Sequence, residues 1–116
     1  MKVFLVEDSA ILRQRLLSIL ASVPGAVACG HAAGATEAIA AIEEAKPDAV
    51  VLDIQLESGS GFDVLRAVGA STAVYVLTNF ANDAYRRKAQ SLGARGFFDK
   101  STEVEGLRQA LVQASA

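Results

Sequence analysis

Five short apolar runs alternate with longer segments of helical period along this chain, and no other feature constrains its fold as strongly. Short runs rich in valine, alanine and leucine are typical of buried strands, whereas apolar residues spaced three and four apart are typical of one helix face. A strand followed by a helix, repeated along a chain, is the pattern of βα units that form a parallel sheet. The predicted strands are Lys2 to Val6, Val27 to Ala32, Ala49 to Asp53, Ala73 to Thr78 and Gly96 to Asp99.

Five helices are predicted to follow these strands, because each remaining segment repeats apolar residues at helical spacing. The first stops at Pro24-Gly25, and the second runs from about Ala35 to Lys46, since Pro47 cannot continue a helix. The fifth begins with a predicted capping box from Thr102 to Glu105. The residues expected to face the core are Leu12, Leu16, Ile19, Leu20, Val23, Ile39, Ile42, Val64, Leu65, Val68, Tyr85, Ala89, Leu92, Val104, Leu107, Leu111 and Ala114.

The composition limits the class of protein. With 116 residues, 52% of them hydrophobic, the chain suits one domain with its own core. A net charge of -2 offers no bulk attraction for nucleic acid, so direct binding of DNA or RNA is not expected. Cys29 is the only cysteine, which suits a reducing compartment, and the first apolar run is too short for a signal peptide or a membrane span. We therefore expect a cytoplasmic domain without membrane contact.

Charged residues stand where three of the predicted strands stop. Glu7 and Asp8 follow the first strand, and Asp53 ends the third. Lys100 follows the fifth strand. Open parallel sheets build their sites outside the carboxyl ends of the strands, where these residues are expected to meet. Three close carboxylates repel one another by roughly 4 kcal/mol per pair, so a cation is expected among them. The pattern therefore indicates a metal-assisted phosphoryl site.

Four motifs occur in order at the predicted strand ends, and together they cover essentially the whole chain. They are Val6-Glu7-Asp8-Ser9, Leu52-Asp53, Leu77-Thr78 and Phe97-Phe98-Asp99-Lys100-Ser101. This set resembles the receiver domains of bacterial two-component response regulators. The resemblance implies an α/β, flavodoxin-like three-layer (βα)5 sandwich, whose five-stranded parallel sheet has the order 2-1-3-4-5. It also implies that residues 1–116 form a single receiver domain of the stand-alone type, without an effector domain.

The same resemblance implies a magnesium site at the junction of the first and third strands. Asp8 and Asp53 would bind Mg²⁺ directly, and Glu7 would act through a water molecule. The backbone carbonyl of Gln55 would complete the protein ligands. A hard cation that prefers oxygen donors also agrees with the charge of these residues, because Mg²⁺ is usually held by one or two carboxylates and several waters.

The resemblance also implies a phosphoacceptor and a switch. Asp53 would take a phosphoryl group from a histidine kinase or a histidine phosphotransfer protein, while Thr78 and Lys100 stabilise the transferred oxygens. Thr78 and Phe97 would then change position, and the surface of the fourth helix, fifth strand and fifth helix would change shape for a downstream protein target. The protein is thus expected to be a signalling switch that catalyses its own phosphorylation and dephosphorylation, and not a turnover enzyme.

Four residues outside the acidic site are candidate partner contacts. Ile11 lies off the apolar face of the first helix, close after the acids. The fourth helix has only a thin apolar stripe, and its Tyr85, Arg86 and Arg87 are candidates for a docking face or for a homodimer contact. A solvated helix face is the simpler interpretation of the two arginines.

Two alternatives remain at this point. The residues could have been cut from a longer regulator, or the domain could act as a phosphate-independent docking module of the same fold. Four positions depart from the usual receiver pattern, namely Glu7, Glu57, Asn79 and Ser101. Asn79, directly after Thr78, is expected to narrow access to the phosphoryl pocket. The complete set of acids, threonine and lysine favours a working phosphoacceptor.

Overall fold

The computed structural model describes all 116 residues and contains the predicted alternation of five strands and five helices. None of the helices has the length and apolar character needed to cross a lipid bilayer. The strands are β1 (Lys2–Val6), β2 (Val27–Ala32), β3 (Ala49–Leu52), β4 (Ala73–Thr78) and β5 (Gly96–Asp99). The helices are α1 (Ala10–Ala21), α2 (Ala35–Ala45), α3 (Gly61–Val68), α4 (Asp83–Ser91) and α5 (Val104–Ser115).

The strands form one parallel sheet in the order β2-β1-β3-β4-β5, which confirms the predicted flavodoxin-like topology. β1 and β3 are neighbours, and Val6 at the end of β1 pairs with Leu52 at the end of β3. The order in which strands are added to the sheet reverses between these two strands, because β2 lies on the outer side of β1 and β4 on the outer side of β3. Ligand sites in such sheets form at this switch point.

Alternate side chains of each strand point to opposite faces of the sheet, and this alternation builds two separate cores. Phe4 and Val6 of β1 pack on the side of α2, α3 and α4. Val3 and Leu5 pack on the other side, against α1 and α5. β3 and β4 are almost entirely buried because helices cover both faces. The result is the expected three-layer sandwich.

Two details of the helices differ from the sequence prediction. α5 has no capping box, because the Glu103 side chain at its N-cap makes no capping bond and instead accepts a hydrogen bond from the Asp99 N–H at 3.0 Å. The capping box of this protein lies at α3, where Ser60 and Asp63 bond reciprocally to each other's backbone N–H. Ala114, predicted to face the core, is exposed because α5 extends past the edge of its core.

The helix ends follow local backbone rules. α2 ends at Ala45 because Pro47 cannot continue it, and its C-cap Lys46 adopts a left-handed conformation with φ 48°. Gly93, just after α4, has φ 99°, as expected of a glycine that reverses the chain. Ala89 is the one fully buried residue of α4, which confirms that this helix is thinly packed.

Gly61, the first residue of α3, lies directly against the backbone that leaves β3. Its N–H donates to the Ile54 carbonyl oxygen at 2.8 Å. A Cβ atom at this position would overlap the Asp53 carbonyl oxygen and lie 2.8 Å from the Ile54 Cα. Because both neighbours are backbone atoms, they cannot move aside as a flexible side chain would. Glycine is therefore required for α3 to pack against the end of β3.

We expect Gly61→Ala to lower the free energy of unfolding by about 2 kcal/mol, because the new methyl group must displace the backbone at Asp53. Urea unfolding measures this loss. Gly106→Ala is the control, since its Cβ would meet only the Phe98 ring at 3.2 Å and alanine favours a helix. Equal stability of the two variants would contradict the proposed backbone conflict.

Candidate functional site

Three carboxylates lie together where β1 and β3 end. One oxygen from each of Glu7, Asp8 and Asp53 lies within 4.8 Å of the others. Glu7 and Asp53 are buried, with 2% and 6% of their surfaces exposed, whereas Asp8 is exposed. Backbone hydrogen bonds continue the sheet past the strand ends, since Glu7 N–H donates to Ala32 and Asp53 N–H donates to Val6. The sheet itself therefore brings the acids together.

Lys100 enters this cluster from the end of β5. Its Nζ lies 2.7 Å from Glu7 Oε1 and 2.7 Å from Asp53 Oδ2, and the lysine is only 8% exposed. Buried charges are tolerated when they are paired and hydrogen-bonded, as these are. Three carboxylates against one ammonium group still leave an excess of two negative charges when all four groups are ionised. The site is therefore suited to a further cation.

The protonation of Glu7 and Lys100 reflects burial and their mutual contact. Burial raises the pKa of the Glu7 carboxyl above its ordinary value, against the opposing hydrogen bond and charge of Lys100. Burial alone would lower the pKa of Lys100, but hydrogen bonds to Asp53 and Glu7 outweigh it, so that pKa is raised. The stability that Lys100 contributes is present at neutral pH and is lost as pH rises through its raised pKa. Glu7 affects stability in the acid range. Because folding raises its pKa, the free energy of unfolding falls as pH rises from the ordinary pKa of a glutamate through the raised one.

The oxygen donors of this site fit a hard divalent cation. The Asp8 carboxylate forms no ion pair and accepts no hydrogen bond within the chain, so it is free to bind a ligand. Gln55 lies two residues after Asp53, and its N–H donates to Asp53 Oδ1 at 3.3 Å. Carboxylate oxygens without any sulfur or imidazole donor are the kind of ligand that Mg²⁺ prefers. The residues present therefore fit Mg²⁺.

Thr78 ends β4 beside this cluster and is completely buried. Its hydroxyl oxygen accepts a hydrogen bond from the Phe80 N–H at 3.2 Å, and its carbonyl oxygen accepts one from the Lys100 N–H at 3.0 Å. The backbone thus links the threonine directly to the lysine. Asn79 and Phe80, which follow Thr78, are both exposed.

Phe97 points inward from β5 and is 5% exposed. The guanidinium of Arg86 in α4 lies 4.8 Å from the Phe97 ring centre and donates to the Phe97 carbonyl oxygen at 3.0 Å. The same guanidinium lies 3.5 Å from Glu103 Oε1, which also accepts the Asp99 N–H. One arginine therefore joins α4, β5 and the start of α5.

The four candidate partner contacts divide into two groups. Ile11 is 82% exposed at the start of α1, and Arg87 is exposed on α4. Tyr85 and Arg86 are half-buried and packed within the chain, where the Tyr85 ring meets Phe62 edge to face at 5.3 Å. The exposed pair is available to a second protein, whereas the other pair first of all holds α4 in place.

Two residues near the acids were given no role from the sequence, although Ser9 is part of the first motif. Ser9 is the N-cap of α1, and its N–H donates to Glu7 Oε2 at 3.3 Å. Arg13 donates from its guanidinium to the Glu7 carbonyl oxygen at 2.9 Å. A serine just before a helical segment is a known N-cap signal and could have identified Ser9. No sequence pattern identifies Arg13, because its contact depends on how the loop turns into the helix.

We expect Lys100→Met to lower the free energy of unfolding at neutral pH by about 3 kcal/mol, because it leaves two buried carboxylates without their partner. The deficit shrinks as pH falls through the carboxyl range, since protonation removes the unpaired charge. Urea unfolding at several pH values measures both effects. Lys46→Met removes an exposed lysine without an ion pair and is the control. An equal loss in both variants, or a loss independent of pH, would contradict the role of Lys100.

Comparison with known proteins agrees with this geometry. A family model described as the response regulator receiver domain matches residues 3–112. The DNA-binding transcriptional activator DevR/DosR of Mycobacterium tuberculosis is 30% identical over 118 aligned positions, which cover 99% of this chain and 54% of that protein. A protein-glutamate methylesterase/protein-glutamine glutaminase of Geobacter sulfurreducens is 35% identical over 104 positions, covering 88% of this chain and 28% of that protein.

Among solved structures, the response regulator domain of Thermotoga maritima CheB superposes with a TM-score of 0.89 at 26% identity, over 98% of this chain and 95% of that domain. The chain spans about half the length of DevR/DosR and less of the methylesterase. In each case the match covers most of this chain. With a family match over nearly its whole length and the expected sheet order, this chain belongs to the response regulator receiver domain family.

Proposed function

We propose that this chain is a phosphoacceptor switch of a two-component or phosphorelay system, and that Asp53 accepts the phosphoryl group. The observation that carries the proposal is the buried pair of Lys100 Nζ and Asp53 Oδ2 at 2.7 Å, beside two further acids. A buried carboxylate held by a lysine and adjacent to a cation site is suited to attack phosphorus, because the negative charge that develops on the transferring oxygens is met at once. The donor is a histidine kinase or a histidine phosphotransfer protein.

In the transfer, an oxygen of Asp53 forms a bond to phosphorus while the bond from phosphorus to the donor imidazole nitrogen breaks. The electron pair of that bond leaves with the nitrogen. Lys100 exchanges its contact with Asp53 for a phosphoryl oxygen, and the Thr78 hydroxyl turns from the Phe80 N–H to a second phosphoryl oxygen. Mg²⁺, when bound, neutralises part of the charge on the transferring oxygens.

The proposed cation ligands are oxygen donors at the ends of β1 and β3. By resemblance to the receiver family, Asp8 and Asp53 would hold the cation directly, the Gln55 carbonyl would add a third protein ligand, and Glu7 would act through water. The Asp8 carboxylate is exposed and forms no ion pair, so it would be open to a cation from the solvent side.

The signal leaves through the surface formed by α4, β5 and α5. Thr78 and Lys100 are joined by a backbone hydrogen bond, so movement of either one toward a phosphoryl group pulls on the ends of β4 and β5. Phe97 lies three residues before Lys100 on β5, and Arg86 ties it to α4. A new phosphoryl group therefore changes how α4 rests on β5, and a downstream protein or a second copy of the chain detects that surface.

The proposal is tested by intact mass after incubation with Mg²⁺ and either an acyl phosphate or a phosphorylated histidine phosphotransfer protein. We expect a gain of one phosphoryl group that requires Mg²⁺ and is abolished in Asp53→Asn. Asp83→Asn, which changes an exposed aspartate of α4, is the control and keeps the gain. Absence of the gain with both donors, while Mg²⁺ still binds, would refute the phosphoacceptor and favour a docking module.

We expect Arg86→Ala to loosen the α4 surface and to lower the free energy of unfolding by about 1 to 2 kcal/mol, since it removes a cation–π contact and a charged hydrogen bond. Hydrogen exchange of the β5 and α4 amides should become faster before any phosphorylation. Arg87→Ala removes an exposed neighbouring arginine and should leave these rates unchanged. Identical exchange in the two variants would rule out Arg86 as the link between α4 and β5.

A further inference from the structure

We propose that Arg13 is a positioning residue for the acid cluster. Arg13 holds Asp8 in the direction needed to bind a divalent cation. The inference rests on the proposed function, because it concerns the same cation site. Its starting point is a difference between the three acids. Lys100 restrains Glu7 and Asp53, whereas the Asp8 carboxylate forms no ion pair and accepts no hydrogen bond within the chain. Its direction therefore depends on the backbone that carries it.

That backbone is a short loop between β1 and α1. Glu7 N–H is fixed to Ala32 across the sheet, and Ser9 begins the helix as its N-cap. The peptide group between Glu7 and Asp8 lies between these two anchors. Arg13 donates to the carbonyl oxygen of this peptide group at 2.9 Å, from a side chain that is itself half-buried on α1.

Holding that oxygen fixes more than one atom. A peptide group is planar, so a restrained carbonyl oxygen also sets the direction of the Asp8 N–H and the position of the Asp8 Cα. A hydrogen bond from a charged donor is among the stronger kinds in proteins. Arg13 thereby reduces the conformational freedom that exposed Asp8 would otherwise lose when a cation binds.

The charge of Arg13 predicts the opposite effect from its hydrogen bond, and this makes the inference testable. A positive guanidinium close to a cation site repels the cation, so charge alone predicts that removing Arg13 strengthens Mg²⁺ binding. Positioning predicts that removing it weakens binding. Loss of groups that orient metal ligands typically reduces metal affinity by tenfold or more, and we expect about tenfold weaker binding for Arg13→Ala.

The experiment titrates Mg²⁺ alone into the wild-type protein, Arg13→Ala, Arg13→Lys and Arg15→Ala by isothermal calorimetry. Arg15 is an exposed arginine of the same helix that donates no hydrogen bond, so its variant removes the charge without the contact. We expect weaker binding only in Arg13→Ala, with recovery in Arg13→Lys because an ammonium group still donates to the carbonyl. Unchanged or tighter binding in Arg13→Ala would overturn the inference.

A second measurement uses the metal-free protein. Hydrogen exchange of the Asp8 and Ser9 amides should be faster in Arg13→Ala than in the wild type, while the β1 amides keep their protection. Exchange that is faster throughout the protein would indicate general destabilisation and would count against a local role. If wild-type protein does not bind Mg²⁺, the cation site of the proposed function fails together with this inference. Normal wild-type binding with an unaffected Arg13→Ala variant refutes the inference alone.

Discussion

The contact of one lysine with two buried carboxylates is the interaction on which this site depends. Glu7 and Asp53 lie almost out of contact with solvent, and each lies 2.7 Å from Lys100 Nζ. Without the ammonium group, two buried negative charges would face each other in a medium that screens them poorly. The lysine comes from β5, the acids from the ends of β1 and β3. All three strands must therefore end at one edge of the sheet before the charges can be compensated.

The parallel sheet meets this requirement because its hydrogen bonds continue past the strands. The Asp53 N–H still bonds to β1, and the Lys100 N–H still bonds to the last residue of β4. Functional groups carried by rigid strands and helices are positioned more accurately than groups on free loops. Gly61 adds a further constraint, since α3 can pack against Asp53 only where a side chain is missing. The acids are thus placed by backbone contacts, and the more exposed parts of the loops remain free to contact a partner.

The same backbone gives the site a physical connection to a distant surface. Thr78 and Lys100 share a backbone hydrogen bond. Phe97 lies on β5, three residues before Lys100, and Arg86 connects Phe97 to α4. α4 is held by few buried residues, so a small change in β5 has little packing to overcome there. A thinly packed helix next to a rigid site is a favourable arrangement for a switch, because segments of low local stability respond to small differences in free energy.

The alternation of apolar runs and helical segments by itself determined the number and order of the elements. Side chains return to the same face every two residues in a strand and every 3.6 residues in a helix, so the two patterns can be told apart. Strand-end charges such as Asp53 and Lys100 could also be found from the sequence, since parallel strands place their carboxyl ends at one edge. The capping of α5 could not, because Glu103 has two competing partners and only the fold brings the Asp99 N–H and Arg86 to it. The contact of Arg13 with the Glu7 carbonyl was likewise decided by tertiary structure. Local patterns determine which groups a chain offers, whereas hydrogen bonds between distant residues depend on distances that exist only after folding.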